Sequence, residues 1–317
     1  MLMFTRPSAQ RIPALTLLVV LASARTAAAQ AVQPTDKPLL WMIEGKTPSY
    51  LYGTIHLPDD RVLALPKVVD KALDACDAFF AEIPMDGDVI LKSAQRMMLP
   101  EGKKLQDVIP KKVYDRAAAF AKTKGFDIAA FSRMRVWAVA VQITLLDRLH
   151  DMATKQALDM SLYLRCQAED KQVGGLETLD EQFGIFESFS DAEQAEMLDK
   201  TLDFLEKSEK EGVKYIDKLI DLYLSGDEAE LMKFMNAYFD ENDPLDKRMV
   251  DKLLTQRNKH MAERMAAKLK ESPGKSFFFA VGAAHLPDKT GVIELLKQRG
   301  LKLRRLTPAD AAKLEAK

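Results

Sequence analysis

Apolar positions gather in short runs near the two ends of the chain and recur at helical spacing through its middle. Residues 39–44 and 50–55 form two apolar runs around Gly45-Lys46-Thr47-Pro48, which predicts a β-hairpin. Helical spacing follows over 66–76. The run 78–83 (AFFAEI), stopped by Pro84, then predicts a buried strand. From 86 to about 170 the pattern is helical. One helix spans 110–125 with Val113, Ala117 and Phe120 on one side, Pro near its start and Gly at its end. Another spans about 132–149, with Trp137, Val141 and Leu145 in register. Residues 172–176 return as a strand. A second helical block covers 191 to about 269, with stops near Gly212, Gly226 and Pro244. The chain closes as strand 276–281, helix 291–299 and strand 301–306. Strands at both ends and helices between them predict an α+β fold: a central mixed sheet formed by the N- and C-terminal segments, with a large helical middle region over about 86–270. Met232, Met235, Met249, Met261 and Met265 fall at helical spacing and read as core filler.

The first 30 residues stand apart. Arg6 and Arg11 precede an apolar stretch over 12–24, and Ala27-Ala28-Ala29 lies before Gln30. This is the layout of a cleavable secretory signal, too short in its apolar core to span a bilayer. The expectation is a periplasmic or secreted protein, a single domain over 31–317, with no stable membrane anchor once the leader is removed. The whole chain balances 46 Lys+Arg against 47 Asp+Glu. Losing the leader's arginines leaves it mildly acidic, so nucleic acid is not an expected partner. Cys76 and Cys166 both fall on apolar helical stripes, and two buried thiols or one bridge are equally open readings.

The chemistry centres on a repeat. Gly53-Thr54-Ile55-His56-Leu57-Pro58-Asp59 recurs as Gly282-Ala283-Ala284-His285-Leu286-Pro287-Asp288, each copy after an apolar strand. Gly permits close approach or a positive φ at the strand end, and Pro ends the strand two residues after the His. Each imidazole is thereby displayed at a strand exit, where open sheets carry ligands and catalysts. Glu82 closes the run 78–83, and a carboxylate there is costly to bury unless paired or bound to a cation. Glu177, in GGLET, repeats that grammar; as an alternative it is an acid favoured at a helix start. Arg257, followed by Asn258, lies inside the apolar stripe of Leu253 and Met261, so its guanidinium needs an anion, from the protein or from a substrate. His150 and His260 lie in charged surroundings and read as surface residues. HExxH, G-x-S-x-G and G-x-G-x-x-G are all absent from the chain.

The segments GTIHLPDD, FFAEIPMD, GGLETLDEQF and FFAVGAAHLPDKTGVIELLKQRGLKLRRL together resemble the TraB/PrgY/GumN family, which includes the Tiki proteases, over about 39–306. The resemblance implies that His56 and His285 are the paired GxxH histidines, Glu82 the family acid, and Glu177 and Arg257-Asn258 its LET and RN segments. It also implies an arrangement similar to erythromycin esterase and the haem-binding ChaN proteins. The activity it implies is a divalent-metal peptidase acting on a peptide or protein substrate. His56, His285 and Glu82 would hold Mn, Co or Zn, Glu177 would take the proton of the attacking water, and Arg257 would steady the oxyanion. The alternatives are a metal-independent ester or amide hydrolase, and a non-enzymatic protein binding haem or a signal peptide.

Overall fold

The computed structural model describes residues 32–314, so the expected leader lies outside the described residues. The described chain forms one compact unit around a six-stranded sheet in the order β4-β3-β5-β2-β1-β6. Strand β1 (Leu40–Ile43) and β2 (Ser49–Thr54) are the predicted hairpin, paired antiparallel with Leu40 opposite Tyr52. β3 (Ala78–Ala81), β4 (Gln172–Gly175) and β5 (Phe277–Gly282) join β2 in a parallel block. β6 (Leu303–Arg305) closes the edge antiparallel to β1. Terminal segments and a large helical middle thus share one mixed sheet, as expected.

Every residue of β2, β3 and β5 is buried. Continuous apolar runs of this kind mark strands covered on both faces. On one face Phe79 stacks on Phe278 at 5.8 Å and meets Tyr163, from the helix Leu158–Ala168, edge-on at 6.1 Å. On the other, the Lys268 ammonium from the helix Gln256–Glu271 sits 3.9 Å from the Phe80 ring centroid. Tyr50, Tyr52, Phe79, Phe278 and Phe279 are the largest fully enclosed side chains, and the core is built on them.

Helix ends follow the local signals. Lys111–Thr123 starts after Pro110 and stops before Gly125, whose φ is +78°. The helix through Trp137 differs from its expected span, covering only Val136–Thr144. Val141 is 43% exposed rather than in register with buried Trp137, because the helix faces a cavity on that side. Met232, Met261 and Met265 are buried, and Met235 and Met249 pack against core clusters while also lining cavities. Cys76 and Cys166 are free, buried thiols, pushed up by burial to about 12 and about 11, and they form no bridge.

Candidate functional site

The four parallel strands end at the same edge of the sheet, and each delivers one polar residue just past its end. His56 follows β2, Glu82 follows β3, Glu177 follows β4 and His285 follows β5. This is the crevice outside the carboxyl ends of the strands, where open parallel sheets bind ligands. β5 lies between β2 and β3, which brings the second GxxH segment beside the first. Backbone bonds continue past β3 and β4, from Leu176 N to Ala81 O at 2.8 Å and from Glu177 N to Glu82 O at 2.7 Å, holding the two acids side by side.

The repeats are not equivalent in space. Gly53 pairs with Val281 and Thr54 with Gly282, so the two copies are one residue out of register. His285 sits in a tight 3-10 turn with its side chain 5% exposed; the His56 side chain is 55% exposed. The two glycines also differ in purpose. A Cβ on Gly53 would meet Leu286 Cδ1 at 2.5 Å and Leu39 Cβ at 3.1 Å, so its smallness allows the two GxxH segments to pack. A Cβ on Gly282 would lie 3.1 Å from Glu82 Oε1, 3.4 Å from His56 Nε2 and 3.5 Å from His285 Cδ2. Gly282 is the floor of a small space on which all three side chains converge.

Glu82 is the hub. Its Oε1 accepts from Gly282 N at 2.7 Å, and its Oε2 accepts from Arg257 Nη2 at 2.5 Å and Gln182 Nε2 at 3.2 Å. Burial alone would raise its pKa, but the cationic Arg257 and His56 reverse this and hold the carboxyl well below the usual range. Glu177 spends both oxygens on Arg257, with contacts of 2.6 Å to Nη2 and 3.0 and 3.1 Å to Nε. Burial nonetheless raises the Glu177 pKa. Arg257 also donates from Nη1 to Leu253 O at 3.3 Å, in a π-helical turn over Asp251–Thr255 that leads into its helix. The guanidinium is thus answered by two core carboxylates rather than one.

Each histidine is oriented by a neighbour. Asn258 donates from Nδ2 to Thr290 O at 2.9 Å, which turns its Oδ1 to His285 Nδ1 at 2.6 Å. The proton therefore resides on His285 Nδ1, and Nε2 presents a lone pair to the site, where Arg257 Nη1 lies 3.2 Å away. Burial pushes this imidazole down to about 4 against the pull of Glu82, so it is neutral. His56 Nδ1 pairs with Asp159 Oδ1 at 2.9 Å, and that carboxylate raises its pKa well above the ordinary value. Asp159, Gln182 and Thr54, whose buried Oγ1 has no partner, belong to the site and are absent from the residues expected. Asp159 sits in the first turn of its helix and reads locally as a dipole acid. His150 and His260 are exposed, as expected.

The donor set suits a divalent ion in kind and orientation. Glu82 Oε1 lies 3.5 Å from His285 Nε2 and 3.7 Å from His56 Nε2, close to the separation of about 3.4 Å between ligands of a tetrahedral ion with bonds near 2.1 Å. Both Nδ1 atoms have an outer partner, Asn258 by a hydrogen bond to His285 and Asp159 by an ion-pair contact with His56, as metal-ligating histidines do. Among the described residues, however, no group of three His, Cys, Asp or Glu is already gathered to hold a metal. Completing one requires Arg257 to release His285 Nε2.

A cavity of about 430 Å³ opens from these residues, walled largely by apolar side chains such as Leu57, Ile216 and Leu254 and also by Tyr223. Tyr223 donates to Gly53 O at 2.9 Å and so braces the first GxxH strand.

Comparison with known proteins gives a consistent picture. The model of the TraB/PrgY/gumN family matches residues 39–305. A Metalloprotease TIKI1 of Danio rerio is 30% identical over 85% of this chain and 63% of its own. A Metalloprotease TIKI homolog of Nematostella vectensis is 24% identical over 87% and 68%, and a Metalloprotease TIKI1 of Homo sapiens is 28% identical over 82% and 60%. The chain therefore spans about two thirds or less of these relatives' lengths. No solved structure matches it significantly.

Proposed function

Because the chain belongs to the TraB/PrgY/gumN family, we propose that it is a metal-dependent hydrolase of peptide bonds, with its reaction centre at the crevice above the four parallel strands. Relatives named as metalloproteases support this reading. The observation that carries it is the convergence of His56 Nε2, His285 and Glu82 Oε1 on the space above Gly282. In this reading His56, His285 and Glu82 hold a divalent ion such as Mn, Co or Zn. When bound, such an ion polarises a carbonyl and lowers the pKa of water.

The chain's own residues supply the rest. Asn258 orients the His285 ring by a hydrogen bond, and Asp159 lies in ion-pair contact with His56 Nδ1, so that each Nε2 is left for the crevice. Glu177 and Glu82 clamp the guanidinium of Arg257, which remains a cation throughout; once Nη1 leaves His285 Nε2, that one N–H is free to donate to a developing oxyanion. Both oxygens of Glu177 are already engaged, which favours the clamp over the proton-acceptor role. The apolar walls of the cavity exclude water around the scissile group. The leader over residues 1–30 makes this a periplasmic or secreted enzyme in our reading; N-terminal sequencing of exported protein is expected to begin near Gln30.

A metal-independent hydrolase has one observation in its favour: His56 and Asp159 form a His–carboxylate pair whose ring is open to the cleft. Metal analysis and thermal shift separate the readings. Mn, Co or Zn is expected to stabilise the wild type but neither His56→Ala nor His285→Ala, and chelation is expected to abolish cleavage of a peptide library. Peptide cleavage that survives chelation, with no metal-dependent shift, overturns the metal reading.

A further inference from the structure

We propose that Arg257 and a divalent ion compete for His285 Nε2, so that the guanidinium N–H capping this imidazole is released to substrate only when the ion is bound. This rests on the metal-dependent hydrolase reading above and gives Arg257 a second task in it, the control of metal affinity.

The three donors above Gly282 are not equally available. His56 Nε2 lies 3.7 Å from Glu82 Oε1 on a largely open side chain, and Glu82 Oε1 accepts a neutral bond from Gly282 N at 2.7 Å. Of the three, His285 Nε2 is the one capped by a protein cation, with Arg257 Nη1 at 3.2 Å. The other ring nitrogen, Nδ1, is committed to Asn258 Oδ1 at 2.6 Å, which leaves Nε2 a single lone pair. That lone pair serves an N–H or an ion, not both. An ion reaching His285 therefore has to displace a charge-assisted hydrogen bond, which lowers its affinity.

The guanidinium can withdraw from His285 without leaving its clamp. Nη1 carries two N–H groups, and its other acceptor is Leu253 O at 3.3 Å. Nη2 keeps Glu82 at 2.5 Å and Glu177 at 2.6 Å, and Nε keeps Glu177 at 3.0 and 3.1 Å. One bond of the network is given up, and the buried cation stays compensated. Leu253 belongs to the π-helical turn Asp251–Thr255, in which Gln256 N donates to Asp251 O five residues back and no residue is buried. Such widened turns recur at functional sites. Leu253, Leu254 and Arg257 all line the cavity of about 430 Å³, so the turn and the guanidinium border open space rather than packed core. The N–H so released is the one that the proposed function gives to the developing oxyanion. Metal occupancy and the availability of that donor become one event.

Arg257→Lys separates this competition from a charge effect. Lysine keeps one positive charge beside Glu82 and Glu177, but it has one nitrogen in place of three and no second arm for His285. Zinc affinity is measured on the full-length protein by competition with a chromophoric chelator, beside peptide-library cleavage by the zinc-loaded forms. Arg257→Lys is expected to bind zinc about tenfold tighter than wild type, through loss of one competing hydrogen bond. It is also expected to cleave at least about tenfold more slowly. A residue that only held the fold would move both readouts downward; melting curves verify the fold. Unchanged or weaker zinc binding by folded Arg257→Lys overturns the proposal. The wild type supplies a test that does not depend on that variant. A crystal structure of its zinc-loaded form is expected to show Nη1 beyond hydrogen-bonding distance of His285 Nε2, with Nη2 still on Glu82 and Glu177. Zinc held without His285, or a guanidinium withdrawn from both carboxylates, overturns the proposal. If zinc binds neither wild type nor Arg257→Lys, the metal reading falls and the proposal with it. If Arg257→Lys binds zinc more tightly but no zinc-loaded form cleaves any peptide, the hydrolase reading falls and the competition for His285 stands.

Discussion

Gly53 and Gly282 occupy the same place in a repeated sequence and are small for different reasons, so alanine should separate them. At Gly53 the added methyl meets Leu286 and Leu39 in a packed interior, and Gly53→Ala should cost about 1–3 kcal/mol in urea unfolding. At Gly282 the methyl enters the space shared by Glu82, His56 and His285. Gly282→Ala should therefore lose metal-dependent stabilisation and at least about tenfold in peptide cleavage, with a smaller change in unfolding than Gly53→Ala. Glu177 is tested by stability. Removing one partner of a buried ion pair leaves a charge uncompensated, so Glu177→Ala should destabilise by about 3–5 kcal/mol in the same assay. A loss below about 1 kcal/mol would mean that Glu82 alone satisfies the guanidinium.

The helix Leu179–Glu187 connects local capping to the site. Thr178 Oγ1 accepts from Glu181 N, Glu181 Oε2 accepts from Thr178 N, and the helix so started carries Gln182 to Glu82. Glu181 also receives Arg264, which donates to Leu176 O beside Glu177 as well. The Arg264 bonds, against a smaller burial effect, hold the Glu181 carboxyl down at about 2 from an ordinary 4.5. A depressed carboxyl stabilises the fold above its unfolded value and loses that contribution as pH falls through the folded one. The thermal midpoints of wild type and Glu181→Gln should thus differ most above pH 4.5 and converge as pH approaches 2. A constant difference across that range would remove the ion pair from the account.

At the scale of the whole molecule, the site depends on a sheet closed by the far end of the chain. β6 pairs with β1, and Arg305 reaches Lys37 O, Gly226 O and Glu228 while its guanidinium lies 5.2 Å from the Trp41 ring centroid. Among the described residues, no side chain lining the cavity at the site lies beyond His285. A chain ending at residue 302 should still lose the sheet's edge and melt well below the full chain by circular dichroism. Unchanged melting would show that the hairpin holds the edge alone.

Local order could be read directly from the residues. The hairpin, the strand ending at Glu82, the helix stops at Gly125, Gly212 and Gly226, and the paired GxxH segments all follow from periodicity and from Gly and Pro, whose effects reach only a few positions. The short helix at Val136–Thr144, the cavity it borders and the partners Asp159 and Gln182 were not legible in this way. An acid in a helix's first turn reads the same whether it faces water or an imidazole. The insertion of β5 between β2 and β3 is likewise set by contacts between residues some 200 positions apart, such as Glu82 with Gly282 N. Sequence by itself placed His56, Glu82, Glu177 and His285 each at a strand exit. Only the tertiary structure decided that four of those exits share one edge, because strand order is chosen by burial of whole faces rather than by any neighbour along the chain.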